Sequence, residues 1–499
     1  MKRRSGILLP IFSLPTKYGI GDFGKSAYNF IDFLKESKQT LWEILPLVQT
    51  GWGNSPYSSV CSTSFSIYYI SPEFLFENNL ITKKELKSLE IKSKYVPYGF
   101  LYEKRKEILK KAFSRFDRED KDFLAFIKSK KAHDFALYTT IKNVNNQKPF
   151  YEWEKGLKYR DKKTLKTFEK ENREEILFWI FSQFLAEKGW KDLKKYANKK
   201  GVKIIGDLPL YVSKDSVDVW VNPKLFKLND DLTPKKVAGV PPDYFSKDGQ
   251  LWGNPVYDYE SHKRDNFTWW VNRVKYALKL FDFVRIDHFR GLDRYFEIES
   301  DALTAREGNW IDVPSVELFT TLHKKIDSKK IIAEDLGIID DGVRKLLKFT
   351  NYPGMKILSF AFNGDKNNPY LPKNIEENSV CFTGTHDNDT LLSLIKSLDF
   401  EEKKHFIFLV KENMKEFNVK GRVDSDVTLA KRVIELGFSC PSKFFILPLF
   451  DLLLKDSEYR INEPGSVKEQ NWGVKLSALS DMKKEKEYLL SLNKKYDRN

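Results

Sequence analysis

Short runs of consecutive apolar residues recur along the chain, and most of them show little alternation between apolar and polar positions. Runs of this kind are typical of strands that are buried on both faces of a parallel sheet. The eight runs are GILLPIF (6–12), LWEILPL (41–47), VKIIGDLPLYV (202–212), FDFVRIDHF (281–289), KIIAEDLG (330–337), KILSFAF (356–362), SVCFTGT (379–385) and KFFILPLF (443–450). We therefore predict eight parallel strands.

Helix-like segments lie between several of these runs. Residues 26–38 follow the first run, and residues 268–281 precede the fourth. Residues 315–326 precede the fifth run, and residues 340–350 follow it. Strands that alternate with helices in this way predict an α/β fold, a (β/α)8 TIM barrel. The tail after Asn471 ends in a charged helix, so we expect no separate C-terminal β domain.

Two gaps between the predicted strands are too long for plain crossover helices. We assign residues 1–60 and 201–499 to the barrel, and residues 61–200 to a mainly helical insertion between strands 2 and 3. A second insertion, residues 213–270, lies between strands 3 and 4 and is rich in Pro, Gly, Asp and aromatic residues. Both leave from strand C-terminal ends, where barrel enzymes build their active sites.

Composition narrows the class of protein further. The chain has 499 residues, of which 41% are hydrophobic and 14% aromatic, and this favours a large core over disorder. The three cysteines are scattered without a CxxC pair, which indicates a reducing cytoplasmic location. Pro10 interrupts the N-terminal apolar stretch, which argues against a signal peptide, and no apolar window reaches 18 residues, so we expect no membrane partner.

The net charge of +15 raises the alternative of nucleic-acid binding. The excess is mostly Lys in segments that read as solvated helix faces, such as KEILKKAFSRF, and no nucleic-acid-binding module or Arg-rich stripe occurs. We therefore expect no nucleic-acid partner.

Three of the predicted strands end at an acidic residue. These residues are Asp287, Glu334 and Asp387, which lie 47 and 53 residues apart. Because strand C-terminal ends converge on one pocket in a parallel barrel, we expect the three carboxyl groups to share a site. Such a set suits cleavage of a bond with charge development at carbon, as in glycosyl chemistry.

The residues beside these acids indicate separate roles. Side chains alternate along a strand, so Arg285 points to the same side as Asp287 and is expected to lower its pKa, as a nucleophile needs; a structural ion pair is the alternative. A dry pocket or a neighbouring carboxylate would raise the pKa of Glu334, as a general acid needs. We expect Asp335, rather than Glu334, to cap the next helix.

The third acid lies in the polar run TGTHDNDT. His386 can donate a hydrogen bond to a sugar hydroxyl and Asp387 can accept one, while we predict that Asp389 is the N-cap of the following helix. No HxH, HExxH or Cys/His pair occurs, so we expect no metal. No Walker-type or GxGxxG loop occurs, which argues against a bound nucleotide.

Two aromatic segments favour a sugar ligand. GWGNSPYSS (51–59) and GVPPDYFSKDGQLWGNPVYDY (239–259) combine aromatic rings with Asn, Asp and Gly. Flat apolar faces edged by hydrogen-bonding groups match pyranose rings. Packing of the insertions onto the barrel is the alternative, and we expect Trp52, Tyr57 and Trp252 to be the rings that face a ligand.

At this point the sequence resembles a known family. The chain is similar to 4-α-glucanotransferases of the amylomaltase (disproportionating enzyme) type, relatives of the α-amylases, from GILLPIFSLPTKYGIGDFG to NEPGSVKEQNWGVKL. The motifs that carry the resemblance are LPLVQTGWGNSPYSS, IIGDLPLYV, GVPPDYFSKDGQLWGNP, VRIDHFRG, IIAEDLG and TGTHDNDT. One stretch, CSTSFSIYYISPEF (61–74), departs from the short Asn-Pro element that the family usually has.

The resemblance implies a retaining double displacement on α-1,4-glucans, with maltodextrin as donor and a sugar as acceptor. Asp287 would be the nucleophile, Glu334 the acid/base, and Asp387 the residue that stabilises the distorted sugar. The implied substrate-binding residues are Tyr57, Trp52, Asp207, Asp243, Trp252, Arg285, His288 and His386. Segment 239–256 would be a loop over the cleft that carries Asp243 and Trp252 on the acceptor side.

Two other functions use the same residues. An amylase-like hydrolase would need the same three acids, and only the 239–256 loop favours transfer to a sugar over transfer to water. A non-catalytic glucan-binding protein would have no need of all three. The implied reaction requires neither a metal nor an organic cofactor, so we expect none, and the sequence does not predict an oligomeric state.

Overall fold

The described part of the chain forms twelve strands and twenty α-helices. The computed structural model describes residues 2–51, 53–242 and 247–498. In chain order its strands are β1 (Arg4–Leu8), β2 (Leu41–Glu43), β3 (Lys203–Leu208), β4 (Lys236–Val240), β5 (Gln250–Pro255), β6 (Phe283–Ile286), β7 (Arg294–Glu299), β8 (Asn309–Asp312), β9 (Ile331–Ala333), β10 (Gly354–Ile357), β11 (Ser379–Phe382) and β12 (Phe444–Pro448).

Eight of these strands form a closed parallel barrel in the order β1, β2, β3, β6, β9, β10, β11, β12, with β12 paired to β1. Each barrel strand overlaps one of the eight apolar runs, which confirms the predicted fold class. The strands are almost entirely buried, because helices cover the sheet from outside. Gly206 in β3 permits this packing, since a Cβ there would lie 2.0 Å from the ring of Phe281.

The helices surround the barrel and fill its first long insertion. They are α1 (Lys25–Glu36), α2 (Pro72–Glu77), α3 (Lys83–Lys87), α4 (Tyr98–Arg115), α5 (Lys121–Phe126), α6 (Lys130–Val144), α7 (Lys155–Lys158), α8 (Lys162–Glu171), α9 (Arg173–Lys199), α10 (Val217–Val221), α11 (Tyr259–Arg264), α12 (Thr268–Leu280), α13 (Ser315–His323), α14 (Asp341–Thr350), α15 (Leu391–Ser397), α16 (Phe400–Glu416), α17 (Asp426–Ser439), α18 (Leu449–Leu452), α19 (Ser480–Lys483) and α20 (Lys486–Tyr496). All four helices predicted between the apolar runs are present, as α1, α12, α13 and α14.

The segment between β2 and β3 contains α2 to α9. Its longest helix, α9, spans 27 residues and buries Phe178, Phe181 and Trp190 among other apolar side chains. Aromatic contacts between α4 and α9 hold this segment together, for example Phe113 with Phe181 at 5.2 Å between ring centroids. The helices of this segment thus pack against one another to form a helical bundle beside the barrel.

A small antiparallel sheet, in the order β5, β4, β7, β8, was not predicted from the sequence. Strands β4 and β5 pair with each other, so that β5 and the last two residues of β4 lie in segment 239–256, which was predicted to be a loop. Strand β7 pairs with the other edge of β4. Three of the four residues of β8 are exposed, and so are the central residues of β5. Strands at the surface lack a continuous apolar run, so the pattern that reveals the barrel does not reveal them.

Helix α20, near the C-terminus, contacts the first barrel strand, β1. Asn493 on this helix accepts a hydrogen bond from Ser5 in β1 at 2.6 Å. Within the part of the chain that the structure describes, no helix is both long and apolar enough to cross a membrane.

Candidate active site

The ends of three neighbouring barrel strands build the centre of the site. Asp207 in β3 stands opposite Arg285 in β6 in the strand register, and Asp287 follows the last residue of β6 directly. Glu334 follows β9 in the same way, and its backbone N–H donates to the carbonyl of Ile286 at 3.0 Å. Because β3, β6 and β9 are adjacent, these four side chains converge.

Arg285 organises the floor of the site. Its Nε and Nη2 donate to the two carboxylate oxygens of Asp207 at 3.0 and 2.6 Å, and Nη2 also contacts Asp287 Oδ1 at 3.1 Å. The side chains of Arg285 and Asp207 are 5% and 2% exposed, whereas that of Asp287 is 26% exposed. Arg285 and Asp207 therefore form a buried support, and Asp287 is the member of the group that faces the cleft.

Asp287 is less acidic than the sequence reading predicts. Burial raises the pKa of Asp287 to about 7, although Arg285 acts in the opposite direction, and the nearby carboxylates of Asp207 and Asp387 raise it further. The expectation that Arg285 would lower this pKa overall is therefore wrong, because the loss of water around the carboxyl group outweighs the attraction of the guanidinium.

Glu334 is held by two backbone N–H groups. His288 N donates to Oε2 at 2.6 Å and Leu336 N donates to Oε1 at 2.9 Å. Burial raises the pKa of Glu334 to about 8, with a further contribution from the Asp287 carboxylate. Since Arg285 contacts Asp287 directly, Asp287 loses its proton before Glu334 does as the pH rises.

A strained turn places one of these N–H groups. His288 has φ of 50° and ψ of 49°, in the left-handed region that a non-glycine residue adopts uncommonly. This turn lets the next residue, Phe289, donate its N–H to the carbonyl of Glu334 at 3.0 Å. The ends of β6 and β9 are therefore linked by a backbone hydrogen bond as well as by the bond from His288 N–H to the Glu334 side chain.

Asp387 lies on the loop after β11, and two residues from a distant segment hold it. Asn462 Nδ2 donates to Asp387 Oδ1 at 2.6 Å, and Arg460 donates to its backbone carbonyl at 2.7 Å. His386 Nε2 lies 3.4 Å from the other carboxylate oxygen, and burial lowers the pKa of His386, which keeps the ring neutral. The Asp387 side chain remains 42% exposed and available to a ligand.

Tyr57 joins the two halves of the site. Its hydroxyl donates to Asp207 Oδ2 at 2.5 Å and accepts from Arg285 at 3.0 Å, and its ring stacks on His386 at 5.3 Å with an interplanar angle of 13°. Trp472 contacts both rings, at 5.6 Å from Tyr57 and 5.9 Å from His386. The contacts with His386 and Trp472 hold the Tyr57 ring in position.

Trp252 connects strand β5 with the turn at His288. It lies in β5, is 37% exposed, and meets the His288 ring edge-on with centroids 4.8 Å apart. Burial lowers the pKa of His288 to about 3, so this ring is neutral. Two other predicted binding residues, Trp52 and Asp243, lie outside the described residues.

Two predicted helix caps are wrong. Asp335 caps no helix: it is buried and accepts from Met355 N in the adjacent strand at 2.6 Å, and Asp340 caps α14 instead. The N-cap of α15 is Thr390, while Asp389 accepts from the hydroxyl of Ser393 at 2.7 Å. In both cases the helix begins later than the loop composition suggests.

Three further residues belong to the site, and none of them was predicted from the sequence. Asn462 and Trp472 lie in NEPGSVKEQNWGVKL, which is part of the resemblance without an assigned role there. Glu43 is the last residue of β2 and is 4% exposed. Burial raises its pKa to about 8, and the charges of Arg285 and Asp207 also act on it. An acidic residue inside an apolar strand run was the available sequence signal for Glu43.

No group of three or more His, Cys, Asp or Glu side chains within the described residues is arranged to hold a metal ion. The site is instead built from carboxyl groups, one guanidinium and aromatic rings. A barrel with such acids at its strand ends has the architecture of the enzymes that make and break glycosidic bonds.

Comparison with known proteins identifies the family. The model of the 4-alpha-glucanotransferase family, glycoside hydrolase family 77, matches residues 9–481, and the chain belongs to this family. A 4-alpha-glucanotransferase of Aquifex aeolicus is 43% identical over 472 residues, which cover 93% of each chain. One of Clostridium butyricum is 44% identical over 400 residues, or 79% of this chain and 82% of that one.

A solved structure supports the same family assignment. The amylomaltase from Streptococcus agalactiae in complex with acarbose superposes with a TM-score of 0.94 at 36% identity, with 100% of each chain covered.

Proposed function

We propose that this protein transfers α-1,4-glucan segments between maltodextrins by a retaining double displacement at Asp287 and Glu334. The observation that carries the proposal is the pairing of Asp287, held by Arg285, with Glu334, whose pKa is raised to about 8. One carboxylate that ionises first beside one acid that keeps its proton is what a retaining mechanism requires.

In the first step an oxygen of the Asp287 carboxylate attacks the anomeric carbon of the donor. The glycosidic C–O bond breaks, and Glu334 gives its proton to the departing oxygen, which leaves as the hydroxyl of the released glucan. The product is a glucosyl ester on Asp287 and a Glu334 carboxylate.

In the second step the Glu334 carboxylate takes the proton of an acceptor's 4-hydroxyl group. That oxygen attacks the anomeric carbon, the ester bond breaks, and Asp287 returns to its carboxylate form. Two inversions give net retention, and both catalytic residues end in their starting state.

The remaining residues hold the sugar or the catalytic groups. Asp387 and His386 bind hydroxyls of the reacting sugar, in keeping with the exposure of Asp387 and its fixation by Asn462. Asp207 supports the floor rather than the sugar, because Arg285 and Tyr57 occupy its oxygens. Tyr57, His288 and Trp252 line the cleft, with Trp252 on the acceptor side, and Trp52 and Asp243 complete the proposed binding set.

Hydrolysis is the competing outcome, since water can intercept the same ester. Incubation with maltotriose distinguishes the functions. Glucose together with a ladder of longer maltodextrins indicates transfer, glucose and maltose without longer products indicate hydrolysis, and no change over time indicates a glucan-binding protein. Proton NMR of the first products checks retention of the α configuration.

The division into a barrel of residues 1–60 and 201–499 and an insertion of residues 61–200 is part of the proposal. The position of α2 to α9 between β2 and β3 supports it. The three unpaired cysteines are all buried, which supports a reducing cytoplasmic location.

A further inference from the structure

A cleft of about 780 Å³ lies where the helical insertion meets the barrel helix α12, and its lining contains none of the acidic residues of the candidate active site. Three helices each turn one face toward it. Helix α12 contributes Asn272, Lys275, Tyr276 and Lys279 at helical spacing, α9 contributes Gln183 and Glu187, and α6 contributes Lys131, Ala132 and Phe135. The volume is in the range of small-molecule sites, which often form between structural units.

Most of the charged side chains that line this cleft are cationic. Four lysines line it, Lys128, Lys131, Lys275 and Lys279, and within the described residues none of them has a carboxylate partner. The single acid in the lining, Glu187, is paired with Lys191 at 2.6 Å. Lys275 and Lys279 stand four residues apart on one helix face, where like charges repel each other.

The repulsion between these lysines also affects Lys131. Its ammonium lies 3.9 Å from the centroid of the Tyr276 ring. Burial is the main cause that lowers the pKa of Lys131, and the charge of Lys279 acts in the same direction, whereas Cys61, Asp218 and Glu187 act against it. An anion in the cleft would relieve the repulsion and stabilise the charged form of Lys131.

The walls of the cleft indicate what kind of anion fits. Phe126 and Tyr276 contribute aromatic carbon atoms to the lining, and Ser129 and Asn272 contribute polar groups. A single inorganic anion would leave most of the volume and these rings unused. We propose that this cleft binds an organic phosphate, a sugar or nucleoside ester with at least two negative charges and a ring-shaped body.

Isothermal titration calorimetry with ATP, glucose 1-phosphate, inorganic pyrophosphate and maltotriose tests the proposal. We expect one site for ATP or glucose 1-phosphate, with an affinity that falls as the ionic strength rises. The double variant Lys131→Gln/Lys279→Gln should lose about tenfold or more in affinity, because it removes two charge-assisted contacts. The ATP and glucose 1-phosphate arms distinguish a nucleoside from a sugar ester.

A matched control removes the same charge elsewhere. Lys84→Gln/Lys87→Gln neutralises two exposed lysines on α3 and should leave the affinity unchanged. If the control weakens binding as much as the cleft variant, the interaction is general attraction to a basic protein and the proposal fails. Equal affinity for pyrophosphate, binding of maltotriose alone in the cleft, or no binding of either ester also overturns it.

A second double variant keeps the test valid if the first one does not fold. If Lys131→Gln/Lys279→Gln does not reach the wild-type circular dichroism spectrum, Lys128→Gln/Lys275→Gln is titrated instead, with the same expected loss. Disproportionation of maltotriose by these variants should match the wild type, because none of the four lysines contacts the carboxyl groups of the proposed catalytic site.

Discussion

The indole of Trp252 meets the imidazole of His288 edge-on, with ring centroids 4.8 Å apart. His288 is also the residue whose N–H holds Glu334 at 2.6 Å. A ring on the β4–β5 hairpin therefore packs directly against the turn that positions the proposed acid/base. We expect this contact to be required for the segment to exclude water from the cleft.

Replacing Trp252 by Ala should raise the ratio of hydrolysis to transfer more than it lowers total donor consumption. Loss of the indole opens the cleft to water, which then competes with the acceptor sugar for the ester. The measurement is reducing-end release against disproportionation products from maltotriose. Leu251→Ala, at the neighbouring exposed position of β5, is the control and should leave the ratio unchanged. If both activities of Trp252→Ala fall at a constant ratio, the indole only binds glucan.

Replacing Asn462 by Ala should lower kcat/KM for maltotriose by about 10- to 100-fold. The variant removes the 2.6 Å hydrogen bond that holds the Asp387 carboxylate, and hydrogen bonds to charged groups are worth about 1.5–3 kcal/mol. Thermal unfolding of the variant separates this effect from loss of the fold. A wild-type kcat/KM would show that Asp387 needs no support from this segment.

Replacing Glu334 by Gln should abolish transfer from maltotriose but spare much of the release of fluoride from α-glucosyl fluoride. Fluoride leaves without a proton, so the first step no longer needs the acid. Asp287→Asn is the matched control and should fail with both donors, because it removes the nucleophile. Equal loss of both donors in Glu334→Gln would assign Glu334 a structural role.

The pH dependence of kcat/KM should be bell-shaped with a maximum between about 7 and 8. Asp287 must lose its proton to attack, and burial raises its pKa to about 7. Glu334 must keep its proton, and its pKa is raised to about 8. Activity should thus fall below the first value and above the second, as initial rates with maltotriose can show. A flat profile from pH 5 to pH 9 would contradict the assignment.

The barrel and the position of its acids could be predicted because each depends on a local pattern. Asp287 and Glu334 directly follow apolar runs, and the ends of such runs meet at one face of a parallel barrel. The support of Asp387 could not be predicted, since Asn462 is 75 residues away along the chain. Strands β5 and β8 were not predicted, because exposed strands mix polar with apolar residues. The net pKa of Asp287 also depends on burial, which a sequence does not show.

The last prediction concerns the stability of the fold. The pKa of Glu43 is about 8 in the folded protein against 4.5 as its ordinary value, with burial as the main cause. The folded state therefore keeps this proton at pH values at which the unfolded chain has lost it. The stability that the protonated side chain contributes is complete below about pH 4.5 and is lost as the pH rises to about 8.

Glu43→Gln carries no proton to lose, so the variant should lack this decline. Its free energy of unfolding relative to the wild type should rise by on the order of 2–5 kcal/mol between pH 5 and pH 9, since one pKa unit corresponds to about 1.4 kcal/mol. Urea unfolding across this range is the measurement. Glu103→Gln, at an exposed position of α4, is the control and should follow the wild type. If Glu43→Gln also follows the wild type, Glu43 keeps enough contact with water or with Arg285 to ionise without cost.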